Sequence, residues 1–179
     1  MNTKLYDLLS TDERIKILGD VLYKTEVRVN ETAKEIGLSK GLVSKYFDIL
    51  VAEGVLIREE NVLKINGGYK TRALKIMLNV LNIPEIFEKH AFIKAAGLYG
   101  SAARGTNTKD SDIDLWIKVD DIKNKNIPKI NAALIQELGE TNILFLDNAK
   151  LEEIKNNDKI FYHSLHFGSI TIYGDDNEM

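Results

Sequence analysis

The sequence predicts an α+β chain of 179 residues organised as two modules. Three observations carry that expectation. Residues 10–66 alternate capped, helix-patterned stretches with two short apolar strands. The charge changes sign along the chain: residues 1–82 carry 13 Lys and Arg against 11 Asp and Glu, residues 83–179 carry 11 against 16. And an apolar run ends in Gly100-Ser101, with Asp112-Ile113-Asp114 ten residues further on. The boundaries that follow are a first module over 1–68, a helical connection over 69–84 and a second module over 85–179. The connection stops at Asn82-Ile83-Pro84, since a residue before proline resists the α region.

In the first module, Thr11 or Asp12 caps a helix whose apolar face includes Ile15, Leu18, Leu22 and Tyr23. Asn30 is expected to cap a short helix carrying the small Ala33, and Gly37 suits the left-handed turn after it. Ser39 caps a third helix with Val43, Phe47 and Leu50 facing inward, and Gly54 ends it. Two apolar strands around Glu59-Glu60-Asn61 read as a wing. The module as a whole reads as a winged helix-turn-helix. The spacing Ala33, Gly37, Val43 resembles the helix-turn-helix of bacterial and archaeal winged-helix regulators, over about residues 10–66.

Such a helix would offer Ser39, Lys40, Ser44 and Lys45 to DNA, with Arg28, Arg58 and Lys64 for the backbone. Glu59, Glu60 and Asp48 oppose it, and phosphate neutralisation dominates affinity. A dimer reading two half-sites is therefore the expected DNA-binding form, and a protein-interaction module is the alternative.

Composition excludes several classes. The chain has no cysteine, so disulfides, thiolate zinc and thiol nucleophiles are out. The opening MNTKLYDLLSTDERIK lacks the apolar run of a signal peptide, and no stretch approaches 18 apolar residues. A cytoplasmic protein without a membrane span is expected.

The second module holds the chemistry. If Phe92–Tyr99 is a strand and Ser101–Arg104 opens a helix, free backbone N–H groups face whatever sits above Gly100, an arrangement that favours phosphate. Gly100 permits close approach, and Ser101 caps the helix or donates to a phosphate oxygen. Arg104 and Lys109 sit where they could neutralise a triphosphate. Asp112 and Asp114 share a strand face about 6–7 Å apart. Two hard carboxylates there suit Mg²⁺ carrying substrate phosphates. Taken singly, each element also fits a capped turn or a solvated edge strand; their order and spacing favour the chemical reading.

Gly100-Ser101, ten residues, Asp112-Ile113-Asp114 resembles the signature of the polymerase-β-type nucleotidyltransferase superfamily. Ala103-Arg104-Gly105 and Ser111-Asp112-Ile113-Asp114-Leu115 resemble most its minimal nucleotidyltransferase branch, which includes antitoxins that nucleotidylate a helical toxin. The resemblance covers roughly Phe92–Leu146. It implies a short mixed sheet with flanking helices, with Gly100 and Ser101 on the nucleotide phosphates and Asp112 and Asp114 on two Mg²⁺ ions; Arg104 and Ser111 are further candidates for binding the nucleoside triphosphate. It also implies a third carboxylate on the strand within Glu140–Asp147, near Asn142, where this chain has an amide. Asp147 lies on the opposite face by parity. Either Glu140 serves through a register shift, as a third catalytic residue, or the third ligand is missing.

The remaining segments are expected to be structural. The polar stretch Asp120–Lys129 reads as a solvated loop, Ile130–Leu138 as an amphipathic helix, and Leu151–Asn157 as the start of another. The segment FYHSLHFGSITIYG resembles the family's closing strand. His163 and His166 are not expected to bind zinc. Trp116 is read as core, on the face opposite Asp114, and the tail from Gly174 as frayed.

The function expected is Mg²⁺-dependent transfer of a nucleoside monophosphate to a hydroxyl, with a tyrosine or serine of a partner protein as a candidate acceptor. The alternative is a DNA-binding regulator or antitoxin-like protein whose nucleotide domain catalyses little or nothing.

Overall fold

The computed structural model describes residues 3–60 and 62–175. Its backbone packing divides into two compact units, Met1–Lys75 and Ile76–Met179.

The first unit comprises helices α1 (Thr3–Leu9), α2 (Asp12–Val21), α3 (Val29–Ile36) and α4 (Lys40–Ala52) with strands β1 (Glu26–Val27), β2 (Leu56–Glu59) and β3 (Val62–Ile65). The strands form an antiparallel sheet in the order β1-β3-β2. Local chemistry sets most boundaries. Thr11 accepts a hydrogen bond from the Arg14 amide at the start of α2, and Ser39 accepts one from Leu42 at the start of α4. Gly37 takes the left-handed conformation (φ +69°) that closes α3. Asn30, expected as a cap, instead lies inside α3; Arg28 holds the cap position and supplies no side-chain bond. The inward stripe of α2 is also shifted. Ile17, Leu18, Val21 and Leu22 are buried, whereas Ile15 is 41% exposed. Tyr46 of α4 donates from its buried hydroxyl to the Leu8 carbonyl at 2.7 Å, tying down α1.

Helix α5 (Tyr69–Leu81) lies in the segment expected as the helical connection, and the division between the two units falls within it, after Lys75. In the second unit, a 3₁₀ turn at Phe87–Lys89 precedes β4 (Ile93–Leu98), α6 (Gly100–Arg104), β5 (Ile113–Val119), α7 (Ile127–Leu138), β6 (Thr141–Leu146), α8 (Asn148–Asn157), α9 (Lys159–Gly168) and β7 (Ile170–Tyr173). The sheet order is β6-β5-β4-β7, with β5 and β6 parallel and the other pairs antiparallel. The mixed sheet with flanking helices is thus present.

Side-chain alternation divides the core of this unit. Ala96 and Leu98 of β4 and Leu115, Ile117 and Val119 of β5 pack with Ile130 and Leu134 of α7. On the other face Ala95 and Trp116 pack with Leu146, Ile154 and Leu165. Trp116 is core, as expected, but the expected face was wrong. A period of two places residues 112, 114, 116 and 118 on one side, so the indole shares the face of Asp114. Its neighbour across the strands is Gly97, where a Cβ atom would come within 2.5 Å of the ring.

The polar stretch Asp120–Lys129 is shorter as a loop than expected, because α7 begins at Ile127 with Pro128 in its first turn. The segment read as a closing strand is mostly helix. Asp158 caps α9 by accepting from Phe161, and Phe161 and Leu165, four apart, turn inward; only Ile170–Tyr173 is strand. The last four residues of the tail lie outside the described residues.

Candidate functional site

Strand β4 delivers the chain to Tyr99 and Gly100, and β5 returns beside it, with the Tyr99 amide donating to the Asp114 carbonyl at 3.0 Å. The turn at Gly100 has φ +66°. A Cβ atom there would lie 2.1 Å from Oδ2 of Asp114. Gly100 and Asp114, fourteen residues apart in sequence, therefore approach closely, and only glycine permits both the conformation and the approach.

Parallel pairing of β5 with β6 sets Asn142 opposite Asp114. The Asn142 Nδ2 donates to Oδ2 of Asp112 at 3.1 Å and to Oδ1 of Asp114 at 3.2 Å. Because both bonds come from one nitrogen, Oδ2 of Asp112 and Oδ1 of Asp114 can be no farther apart than the two bond lengths laid end to end. Glu140 stands just before β6; its carbonyl accepts from the Ile113 amide, and no three acidic or histidine side chains converge as a metal-holding group among the described residues. Asn142, not Glu140, is the β6 side chain at the aspartates, so the register shift that would make Glu140 the third ligand does not occur. Asp147 caps α8, accepting from Lys150 at 2.8 Å, which holds its carboxyl below the usual range.

The other expected residues divide. Ser101 is not the cap of α6: Tyr99 holds that position without a side-chain bond, and Ser101 lies within the helix, half-buried. With five residues, α6 is too short for a strong macrodipole; what it offers an anion is the first-turn amides that no helix bonds internally. Arg104 is exposed at its end. Ser111 closes the turn before β5, its Oγ accepting from the Thr108 amide at 2.9 Å. The Tyr99 ring packs edge-on to Phe161 at 6.3 Å, and burial together with the charge of Asp114 pushes its hydroxyl pKa up. His163 and His166 are exposed, in ring contact with Tyr162 and Phe167.

In the first unit, Lys40, Ser44 and Lys45 are exposed on α4 and Ser39 is engaged as its cap. The cations expected to reach a backbone are instead locally paired: Arg28 with Glu26 and Glu31, Arg58 with Asp48, Lys64 with Glu59.

Sequence reasoning missed Asn79 and Asn107, both buried. The Asn79 Nδ2 donates to the Ala102 carbonyl at 2.8 Å and to Oδ1 of Asn107 at 3.0 Å, and the Asn107 Nδ2 donates back to Oδ1 of Asn79 at 3.2 Å. The available signal was an amide on the buried stripe of α5, next to Leu78 and four residues after Lys75.

Residues 81–178, more than half of the chain, match the family model described as polymerase beta, nucleotidyltransferase, and the chain belongs to that family. Two solved structures are similar to it. One is a toxin–antitoxin with AMP-PNP, at 16% identity over 62% of this chain and 77% of that one, TM-score 0.37. The other is a nucleotidyltransferase from Sulfolobus solfataricus, at 17% identity over 60% and 86%, also TM-score 0.37. No curated protein matches the sequence. No helix among the described residues is long and apolar enough to cross a membrane.

Proposed function

We propose that the second unit is a Mg²⁺-dependent nucleotidyltransferase that takes a nucleoside triphosphate and passes its nucleoside monophosphate to a hydroxyl. The observation that carries this reading is the close approach of the Gly100 turn to Asp114, with Asp112 beside it. The donor set fits a divalent cation: two carboxylates and an amide whose Oδ1 replaces Nδ2 on rotation, all hard oxygens. Asp112 and Asp114 would hold Mg²⁺, which supplies charge neutralisation at the phosphates. The turn at Gly100 and Ser101 would hold the β- and γ-phosphates, with Arg104 at the rim. The acceptor oxygen forms its bond to the α-phosphorus, the bond to pyrophosphate breaks, and the hydroxyl proton leaves to solvent. With Asn142 in place of an acid, no carboxylate is set to take that proton, so positioning and neutralisation carry the rate. A partner protein, as in toxin–antitoxin pairs, is the acceptor we favour.

Incorporation of labelled nucleotide into a co-expressed partner, dependent on Mg²⁺ and lost in Asp112→Ala, is the expected result. No transfer with any triphosphate, together with unchanged triphosphate binding by Asp112→Ala, would overturn it.

The Asn142 amide also supports a second reading, in which the nucleotide domain binds without turnover and the first unit acts as a winged helix on DNA. Lys40 and Lys45 on α4 support the DNA contact. Triphosphate binding by calorimetry without turnover, together with a sequence-specific gel shift, is what this reading expects; a dimer would provide the second half-site.

A further inference from the structure

The geometry points to Asn79 and Asn107 as a positioning pair that holds the phosphate turn and the loop leading to the aspartates in one arrangement. This rests on the reading of Gly100 and Ser101 as the triphosphate site. Helix α6 has only five residues, fewer than an isolated helix needs to persist in water. Its shape must come from contacts beyond its own ladder. The Gly105 amide donates to the Ala102 carbonyl at 3.3 Å and the Thr106 amide to that of Ser101 at 3.0 Å, and the Asn79 side chain donates to that same Ala102 carbonyl at 2.8 Å. The last comes from another element, α5, and adds a directional bond to the core packing of Ala102 and Ala103. The same Asn79 amide closes a reciprocal pair with Asn107, in the loop that runs from α6 to Asp112.

Both ends of the site are thereby referred to α5. Gly100 and Ser101 begin the helix whose third residue Asn79 grips, and Asn107 fixes the loop five residues before Asp112. Both amides are at most 5% exposed, so water does not replace the bonds readily when one partner is removed.

The test is amide hydrogen exchange over residues 100–107 of the full chain, paired with Mg²⁺-ATP titration calorimetry, in Asn79→Ala, Asn107→Ala and the double variant. The expected result is exchange of this segment faster by about tenfold in each single variant, roughly the fold-change of 1.4 kcal/mol and within the cost of an orphaned buried amide. The double variant should add little, because the pair acts as one unit. ATP affinity should fall by a similar factor. Asn107→Ser, which keeps one hydrogen-bonding group, serves where an alanine variant yields no folded protein. Leu134→Ala, a cavity in the same unit, is the control. Exchange within twofold of wild type in a folded variant, equal loosening by Leu134→Ala, or loosening with unchanged ATP affinity would each overturn the positioning role. If the wild-type chain binds no ATP, the nucleotidyltransferase reading falls, while the exchange result still decides whether the pair holds the turn.

Discussion

Replacing Gly100 by alanine separates conformational strain from steric conflict at the site. An L-residue at φ +66° carries about 1–2 kcal/mol of left-handed strain. The added methyl would sit 2.1 Å from the Asp114 carboxylate, more than an ångström short of ordinary contact, so Asp114 has to rotate away. That rotation removes its bond from Asn142 and moves the carboxylate proposed to hold Mg²⁺ by about the distance for which misplacement costs on the order of 10²-fold. Gly37→Ala supplies the control, because its φ of +69° is nearly the same and a Cβ there meets nothing within 4 Å. Urea unfolding should therefore show a loss of about 1–2 kcal/mol for Gly37→Ala, with Mg²⁺-ATP affinity unchanged. Gly100→Ala should show at least that loss together with about a hundredfold weaker Mg²⁺-ATP binding by calorimetry. A Gly100→Ala protein that binds within twofold of wild type would refute the claim that the turn and the carboxylate share one site.

Three further outcomes are expected. Asn142→Asp places a third carboxylate beside Asp112 and Asp114, and should tighten Mn²⁺ or Mg²⁺ binding and raise nucleotide turnover; unchanged metal affinity and turnover would refute a role for the amide in limiting the proposed reaction. Gly97→Ala forces a methyl to within 2.5 Å of the buried Trp116 ring and should cost about 1–3 kcal/mol in thermal or urea unfolding, whereas a neutral result would mean the strands part easily there. Burial pushes the Tyr23 hydroxyl pKa up to about 12 and that of Tyr46 up as well. The folded first unit thus keeps protons that the unfolded chain releases above about pH 10, so its stability is full below that pH and falls as pH rises toward 12. Tyr23→Phe should flatten the fall in a series of alkaline urea melts, and an equally steep fall would assign it elsewhere.

The legible parts of the sequence were those written locally. Thr11, Gly37 and Ser39 act through the backbone within four residues, and each boundary they mark is where the residue type predicts. Gly100 and the two aspartates were legible because a strand period and a positive-φ turn fix which atoms face one another. What escaped depends on partners distant in sequence. Helix α1 is anchored by Tyr46, 38 residues from Leu8, and β1 is two residues long, recognisable only once β3 lies beside it. Asn79 finds Asn107 across 28 residues. The aromatic-rich α9 reads equally as strand until the inward pair Phe161 and Leu165 is packed. Asn142 was located by its spacing, but its choice over Glu140 needed the register of β6 against β5.

Trp116 gives the site a built-in optical readout. It is the single tryptophan of the chain, fully buried, two residues along the same strand face from Asp114. Its indole nitrogen has no hydrogen-bond partner among the described residues, so the ring's emission answers mainly to nearby charge and packing. Neutralising the carboxylates with a divalent ion changes the local field about 6–7 Å away along β5, a spacing set by the strand itself. If the aspartates bind a divalent ion as proposed, emission from the native protein would record that occupancy without a label. A luminescent lanthanide in place of magnesium would be sensitised by the same ring, turning proximity into light.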